Sequence, residues 1–362
     1  MMDPRATLMG ARCDTLPHHH SALMEANPMA WIAWRQFRTA AWLAVAALGL
    51  VTVLLAITGH NVANQWTSSG AAICQNQCGM AIHRFIGEAN AGMNGGLYRA
   101  TAVLMYVLPV LIGMCWGAPL IARELESGTH SLAWNQSITR TRWLTTKLAV
   151  IGTASAVTTG LLTWAVTSWA HHLDHARFYR ITPLMYGARG IVPIGYALFA
   201  FALGVTLGML IRRTVPAMAA TLVVYVAAVA AMPLWIRADL APVSHVTPPL
   251  DVTSIANLTI SAPTSMQVVG GATPDNAWVL SNKTITATGQ LFSWPPNPQA
   301  CSDFRSIDNC TNWLGTLGLR QDITYQPAGH FWPLQWAETG LFVALAIALG
   351  GFCLWWTRRR LT

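Results

Sequence analysis

The chain has 362 residues, of which 53% are hydrophobic and only 10% charged, and its mean hydropathy is +0.40. A soluble protein is charged at about a quarter of its positions. The net charge of +8 arises from 22 Lys and Arg against 14 Asp and Glu, but these residues punctuate long apolar runs. That pattern excludes a soluble enzyme, a secreted disulfide scaffold and a disordered chain, and it makes nucleic acid a poor partner for the positive charge.

In chain order, residues 1–27 form a polar tail with His18, His19 and His20 in a row. They read as solvated chain rather than a metal site, and no apolar core with a cleavage site marks a secretory leader. Asn27 and Pro28 form a helix-starting pair. Residues 28–38 then carry Trp31, Trp34 and Phe37 beside Arg35 and Arg38, an amphipathic helix expected to lie in the inner interface before turning into the first span.

Six uncharged stretches are each long enough to cross about 30 Å of hydrocarbon as a helix. They run from Thr39 to Gly59, Ala100 to Ala122, Leu148 to Ala170, Gly190 to Ile211, Val215 to Ile236 and Thr339 to Thr357. Only Arg212, Arg213 and Thr214 separate the fourth from the fifth, which predicts a tight hairpin. The expected fold is an all-α polytopic membrane protein with six transmembrane helices, the interfacial helix, and a small mixed extracellular domain between helices 5 and 6. In residue ranges this gives spans 1–5 within 39–236, the outer domain at 237–336, and the sixth span with its basic end at 337–362.

Charge sets the expected orientation. The tail with the helix at 28–38, the loop at 123–147, the Arg212–Arg213 hairpin and the end at Arg358, Arg359 and Arg360 hold thirteen basic and five acidic residues. The opposite loops hold nine of each. The positive-inside rule therefore predicts a plasma-membrane protein with both termini cytoplasmic.

The long outer loop opens with Pro242, Pro248 and Pro249 and continues with β-type runs at Ile255 to Ile260, Met266 to Val269 and Trp278 to Thr288. An apolar segment follows at Trp313 to Leu319, so strands and at least one helix are expected. Cys74, Cys78, Cys301 and Cys310 all fall in outer loops, where disulfides persist. Four thiols allow three pairings, of which the two local closures, Cys74–Cys78 and Cys301–Cys310, are preferred. A copper or redox site at Cys74, Cys78 and Met80 is disfavoured because the spacing is not CxxC. His171, His172 and His175 include an i, i+4 pair that could hold zinc, with an interfacial cluster the simpler reading.

Several chemistries are missing. No ionisable residue lies inside the six runs, which disfavours proton- or ion-coupled transport. Axial His residues for a haem are likewise missing from the runs. The chain has only two lysines, Lys147 and Lys283, neither in a phosphate-binding loop. It holds no cofactor of its own, and energy for work across the membrane would come from another subunit.

A docking place for such a subunit is the loop from Arg123 to Lys147. The second span should continue through Glu124 and Glu126 to a cap at Gly128, with a short helix over His130 to Trp134 and a third span starting near Arg140 and Arg142. The string Gly117-Ala-Pro-Leu-Ile-Ala-Arg-Glu-Leu-Glu-Ser-Gly-Thr-His130, followed by Gln136-Ser-Ile-Thr-Arg-Thr-Arg142 and Lys147, resembles the loop between the second and third spans in permeases of type-2 ABC exporters. The six spans, the amphipathic first helix, the Arg-Arg hairpin and the end from Tyr325 to Leu361 extend the resemblance, and that end is similar to actinobacterial members in particular.

The resemblance implies that Arg123, Glu124, Glu126, Gly128, Thr129 and His130 belong to an elbow contacting an ABC ATPase subunit. Arg140 and Arg142 would flank that contact, and Arg212 and Arg213 would form the second inner loop. ATP and magnesium would sit in the partner, two permease copies or paralogues would meet around a central path, and Pro109, Pro119, Pro216 and Pro233 would kink the spans beside it. This chain would then be a transport subunit with no catalytic residue of its own, exporting an amphipathic or hydrophobic compound such as an antibiotic, drug or peptide. The rival readings are a membrane enzyme using Asp303, Asp308, His245 or His330 in the outer domain, and a membrane sensor recruiting partners through the elbow.

Overall fold

The computed structural model describes residues 28–74, 78–126, 139–177, 180–261, 265–271, 274, 276–292 and 307–359. Among the described residues, six helices are long and apolar enough to cross a membrane. The first lies within α1 (Pro28–Ser68), which is unbroken for 41 residues. The expected turn between residues 38 and 39 does not occur, because no Gly or Pro lies between Met29 and Leu48 to interrupt the helical ladder. The second is composite: α3 (Met93–Ile112), a π turn at Gly113–Gly117, and α4 (Ala118–Glu126). Between these two, α2 (Gly79–Ala91) buries Phe85 and Ala89 against the bundle.

The third, α5 (Arg140–Arg177), runs well past both ends of the uncharged stretch. The fourth is α6 (Val192–Ile211). Arg212 closes it in the left-handed conformation at φ 58°, and the fifth span follows at once as α7 (Thr214–Ala231). A π turn at Met232–Ile236, containing Pro233, and a 3-10 turn at Arg237–Leu240 complete it. Pro216 falls in the first turn of α7, where a missing N–H costs no intrahelical bond, whereas Pro119 follows directly on the π turn inside a continuous helix.

The bundle is built around α6. Of its apolar window 72% is buried, against 6% for the first span, and it contacts the second, third, fifth and sixth spans. A helix apolar on every side is what such a central position requires. Its closest neighbour is the second span, and the approach depends on glycine. A methyl group at Gly204 would lie 2.2 Å from the Gly113 carbonyl oxygen, and one at Gly208 would lie 2.5 Å from that of Ala118. On the facing side, Gly113 and Gly117 leave the same room for the backbones of Ala200 and Phe201. This is the small-residue packing by which helices meet in lipid, where burial itself gives no drive.

The polar part of the chain folds between the fifth and sixth spans. Strands β1 (Ser244–Val246), β4 (Trp278–Ile285) and β5 (Arg320–Gln326) form one antiparallel sheet in the order β1-β5-β4, with Ser244 opposite Tyr325 and Trp278 opposite Gln326. Strands β2 (Ile255–Ser261) and β3 (Ser265–Gly270) form a second, two-stranded sheet. Helix α8 (Ile307–Thr316) packs Leu314 and Cys310 with Val268, Phe292 and Leu319 into a small core. The expected strand runs match β2 and β3 to within a residue, and the run from Trp278 to Thr288 becomes β4, which stops at Ile285. The helix expected at Trp313 to Leu319 starts earlier and stops at Thr316, because Gly318 turns the chain at φ 60° into β5.

The sixth span, α9 (Phe331–Arg359), then leaves the domain. Trp278 packs in a cluster with Tyr186, Phe331 and Leu334, and Gln326 Nε2 donates to the carbonyls of Ala238 and Ala241 at 3.1 and 2.7 Å. The strand domain is therefore fastened to one end of the bundle. Cys74 and Cys78 form a disulfide. Cys310 is disulfide-bonded as well, and Cys301 lies outside the described residues. Cys115 and Cys353, both in spans, are free thiols.

Candidate functional site at the elbow

Helix α4 carries the acidic pair to its end, as the sequence led us to expect. Glu124 and Glu126 are two residues apart, so they point in different directions and find different partners. Lys147 Nζ donates to Glu124 Oε1 at 2.5 Å and stands over the Trp143 ring, 4.4 Å from its centroid. Both partners come from the first two turns of α5, so this contact closes the second and third spans against each other. Lys147 is 4% exposed; a buried ammonium needs such a carboxylate, or it would be left uncompensated.

Glu126 reaches elsewhere. Its Oε2 accepts from the Thr214 backbone N–H at 3.2 Å and from the Thr214 hydroxyl at 2.8 Å. Thr214 begins α7, and Arg213 before it provides no side-chain cap. The free N–H groups and the positive end of the helix dipole are met instead by a carboxylate from another helix. The elbow is thereby joined to the Arg212–Arg213 hairpin, and through the glycine crossing to α6.

Arg123, Arg142, Arg212 and Arg213 are exposed at this end. Among the described residues no carboxylate lies within 4.0 Å of Arg142, Arg212 or Arg213. Arg140 is the first residue of α5, its side chain outside the described set. Gly128, Thr129 and His130, with the expected short helix, also lie outside the described residues. Thr214 and Trp143 were not singled out from sequence. Thr214 could have been, as a hydroxyl residue opening a helix within reach of an acid at the end of a neighbouring one.

The opposite end holds charges of a different kind. Arg237 donates from Nε to Glu338 Oε2 at 2.8 Å and from Nη2 to Oε1 at 3.0 Å, and from Nη1 to the Pro183 carbonyl at 2.7 Å. Tyr196 donates its hydroxyl to Glu338. Arg189 donates to Asp174 at 2.9 Å, and Tyr98 donates to the other Asp174 oxygen. Arg237 and Arg189 are each 1% exposed and Glu338 is 0% exposed. Gln335 accepts from the N–H groups of Ile191 and Val192 and so caps the start of α6 from the sixth span.

These residues correct the reading that no ionisable group enters a span. Helix α5 encloses Lys147 and Asp174, and α9 encloses Glu338, because each charge meets an opposite one. The Tyr186 hydroxyl beside them is buried with no hydrogen-bond partner among the described residues. Burial, reinforced by the Glu338 carboxylate, pushes its pKa up.

The other candidates do not assemble. His245 faces Thr324 and His330 faces Gln326, each in a separate hydrogen bond, and Asp308 is exposed on α8. Asp303 lies outside the described residues. His172 and His175 pack around the Trp66 ring. Among the described residues no three His, Cys, Asp or Glu side chains converge on a metal position.

No curated protein and no solved structure matches the chain. The family model described as ABC-2 membrane transporter related matches residues 45–237, a stretch that runs from within the first span to near the end of the fifth and includes the elbow and the Arg212–Arg213 hairpin. That match covers just over half of the sequence, and the chain belongs to this ABC-2 membrane transporter related family.

Proposed function

We propose that the chain is the permease subunit of an ATP-driven exporter in the plasma membrane, with the elbow and both termini in the cytoplasm. It works with a separate ABC ATPase subunit, which holds ATP and magnesium, and with a second permease copy or paralogue. The observation that supports this most is the Glu126–Thr214 joint. It links the end of the second span, where the loop at 127–139 begins, to the start of the fifth span, beside three arginines that have no carboxylate partner among the described residues.

A subunit gripping that surface moves three elements together. Displacement of α4 pulls on Thr214 and α7 through Glu126, on α5 through the Glu124–Lys147 pair, and on α6 through the glycine crossing. Packed helices of this kind shift as units between discrete arrangements. The cargo is amphipathic or hydrophobic, in keeping with the aromatic, Met and hydroxyl side chains of the spans.

The test is ATP-dependent accumulation of a hydrophobic fluorescent dye in inverted membrane vesicles holding the chain and its ATPase subunit. Glu126→Ala and Gly128→Pro are expected to lower accumulation by about tenfold or more while leaving membrane insertion intact, an effect on coupling rather than folding. Accumulation at the normal rate in both variants contradicts the proposal.

A further inference from the structure

The strand-domain end contains a cavity of about 200 Å³ lined by four separate parts of the chain. Helix α5 contributes His171, Asp174 and His175, the segment after it contributes Arg180, the strand domain contributes Asn276, and Phe331 opens the sixth span. Nothing in the elbow mechanism uses this cavity.

Its charges are unevenly matched. Asp174 is the one carboxylate among the described lining residues, and both of its oxygens are taken, one by the Tyr98 hydroxyl and the other by Arg189 Nε at 2.9 Å. Arg180 has no carboxylate within 4.0 Å among the described residues. Its guanidinium instead lies over the Phe331 ring, 4.1 Å from the centroid. Stacking holds the plane of the fork and leaves its N–H edge free to donate. His171 and His175 are exposed on the same wall and add two further ring donors. A neutralised acid, a stacked arginine and two imidazoles make a wall that attracts a compact anion.

The geometry points to a binding site for a phosphate group, gripped by Arg180 with His171 and His175 beside it. Phosphate is the anion whose oxygens match the arginine fork and accept from several donors at once. The cavity admits the phosphate group but not a whole lipid, so the group arrives either on a free solute or as the headgroup of a lipid whose chains stay in the bilayer. The site is separate from the export reading and does not depend on it.

The experiment uses the full chain in two settings. In maltoside micelles, which contain no phosphate, inorganic phosphate is titrated and binding is read by calorimetry. In nanodiscs of phosphatidylcholine with phosphatidylglycerol, lipid retained after mild extraction is read by native mass spectrometry. Arg180→Gln and His171→Ala are compared with Arg320→Gln, a change at an exposed position on β5 away from the cavity, and all variants are checked for a monodisperse elution profile.

Saturable binding of at least one of the two probes is expected, weakened about tenfold by Arg180→Gln, two- to fivefold by His171→Ala and not at all by Arg320→Gln. Binding of inorganic phosphate alone identifies a soluble source, and retention of phosphatidylglycerol alone identifies a lipid. Absence of binding in both settings, or binding that Arg180→Gln leaves unchanged, overturns the site.

Discussion

The two ends of the bundle use the same residue types for opposite ends. At the strand-domain end, Arg189 and Arg237 are sealed from solvent and each is bonded to its own carboxylate. At the elbow end, Arg142, Arg212 and Arg213 stand in the open, with no carboxylate within bonding distance among the described residues. An arginine that has already lost its water and found a partner fixes structure. An exposed one without a partner is free to meet another molecule. The contrast separates arginines that hold the fold from arginines left facing solvent.

The largest effect should come from breaking the sealed end. Glu338→Ala leaves the Arg237 guanidinium buried and unpaired, and is expected to cost roughly 3–5 kcal/mol of stability. Thermal unfolding in micelles would check it. Replacing both partners together, Arg237→Met with Glu338→Leu, should recover most of that loss, since no charge is then left alone. If the double variant is as unstable as the single one, the pair is not what holds this end.

Next in size is the glycine crossing, which lies between the ends. A side chain at Gly204 meets the Gly113 carbonyl at far below contact distance. Gly204→Val is therefore expected to destabilise by about 1–3 kcal/mol or to force the two helices apart, lowering the yield of folded protein. Gly49, with no atom within 4 Å of an added Cβ, is the control, and Gly49→Ala should behave as wild type.

A smaller change is expected at the closed side of the elbow. Glu124→Gln keeps a hydrogen-bond acceptor for Lys147 but removes the charge, and should lower stability by about 1–2 kcal/mol. The smallest stability change of all is predicted for Glu126→Ala, whose carboxylate is exposed; its effect should appear in transport instead. A melting temperature lowered as much by Glu126→Ala as by Glu338→Ala would erase the distinction between the two ends.

Much of this fold is written in the hydropathy of the chain. The six apolar runs became six helices, the Arg212–Arg213 hairpin closed as tightly as its length required, and the β-type runs after Pro249 became strands. What could not be read was anything set by contact between distant segments. Arg189, Arg237 and Glu338 flank the apolar runs as ordinary charged ends, and only the fold brings Arg237 to Glu338 across a hundred residues.

Helix ends were misjudged for the same reason. Hydropathy stops a span at the first charge, whereas a paired charge lets the helix continue, as at Lys147 and Glu338. The acids at Glu124 and Glu126 are close in sequence, yet the partner of Glu126 is not, since Thr214 lies on another helix. Even the break expected after Arg38 was a matter of position rather than composition: nothing in those residues prevents one continuous helix.

The most direct test of the account is whether the exposed arginines hold the ATPase subunit. The chain and its ATPase subunit are co-expressed, solubilised and captured through a tag on the chain, with wild type beside the triple variant Arg142→Glu, Arg212→Glu, Arg213→Glu. The account predicts a stoichiometric complex for wild type and at least about a tenfold loss of captured ATPase for the variant, whose own yield and melting temperature stay unchanged, as expected for reversed charges at a contact rim. Full retention of the ATPase by the triple variant would place the contact elsewhere and contradict the assignment of the elbow.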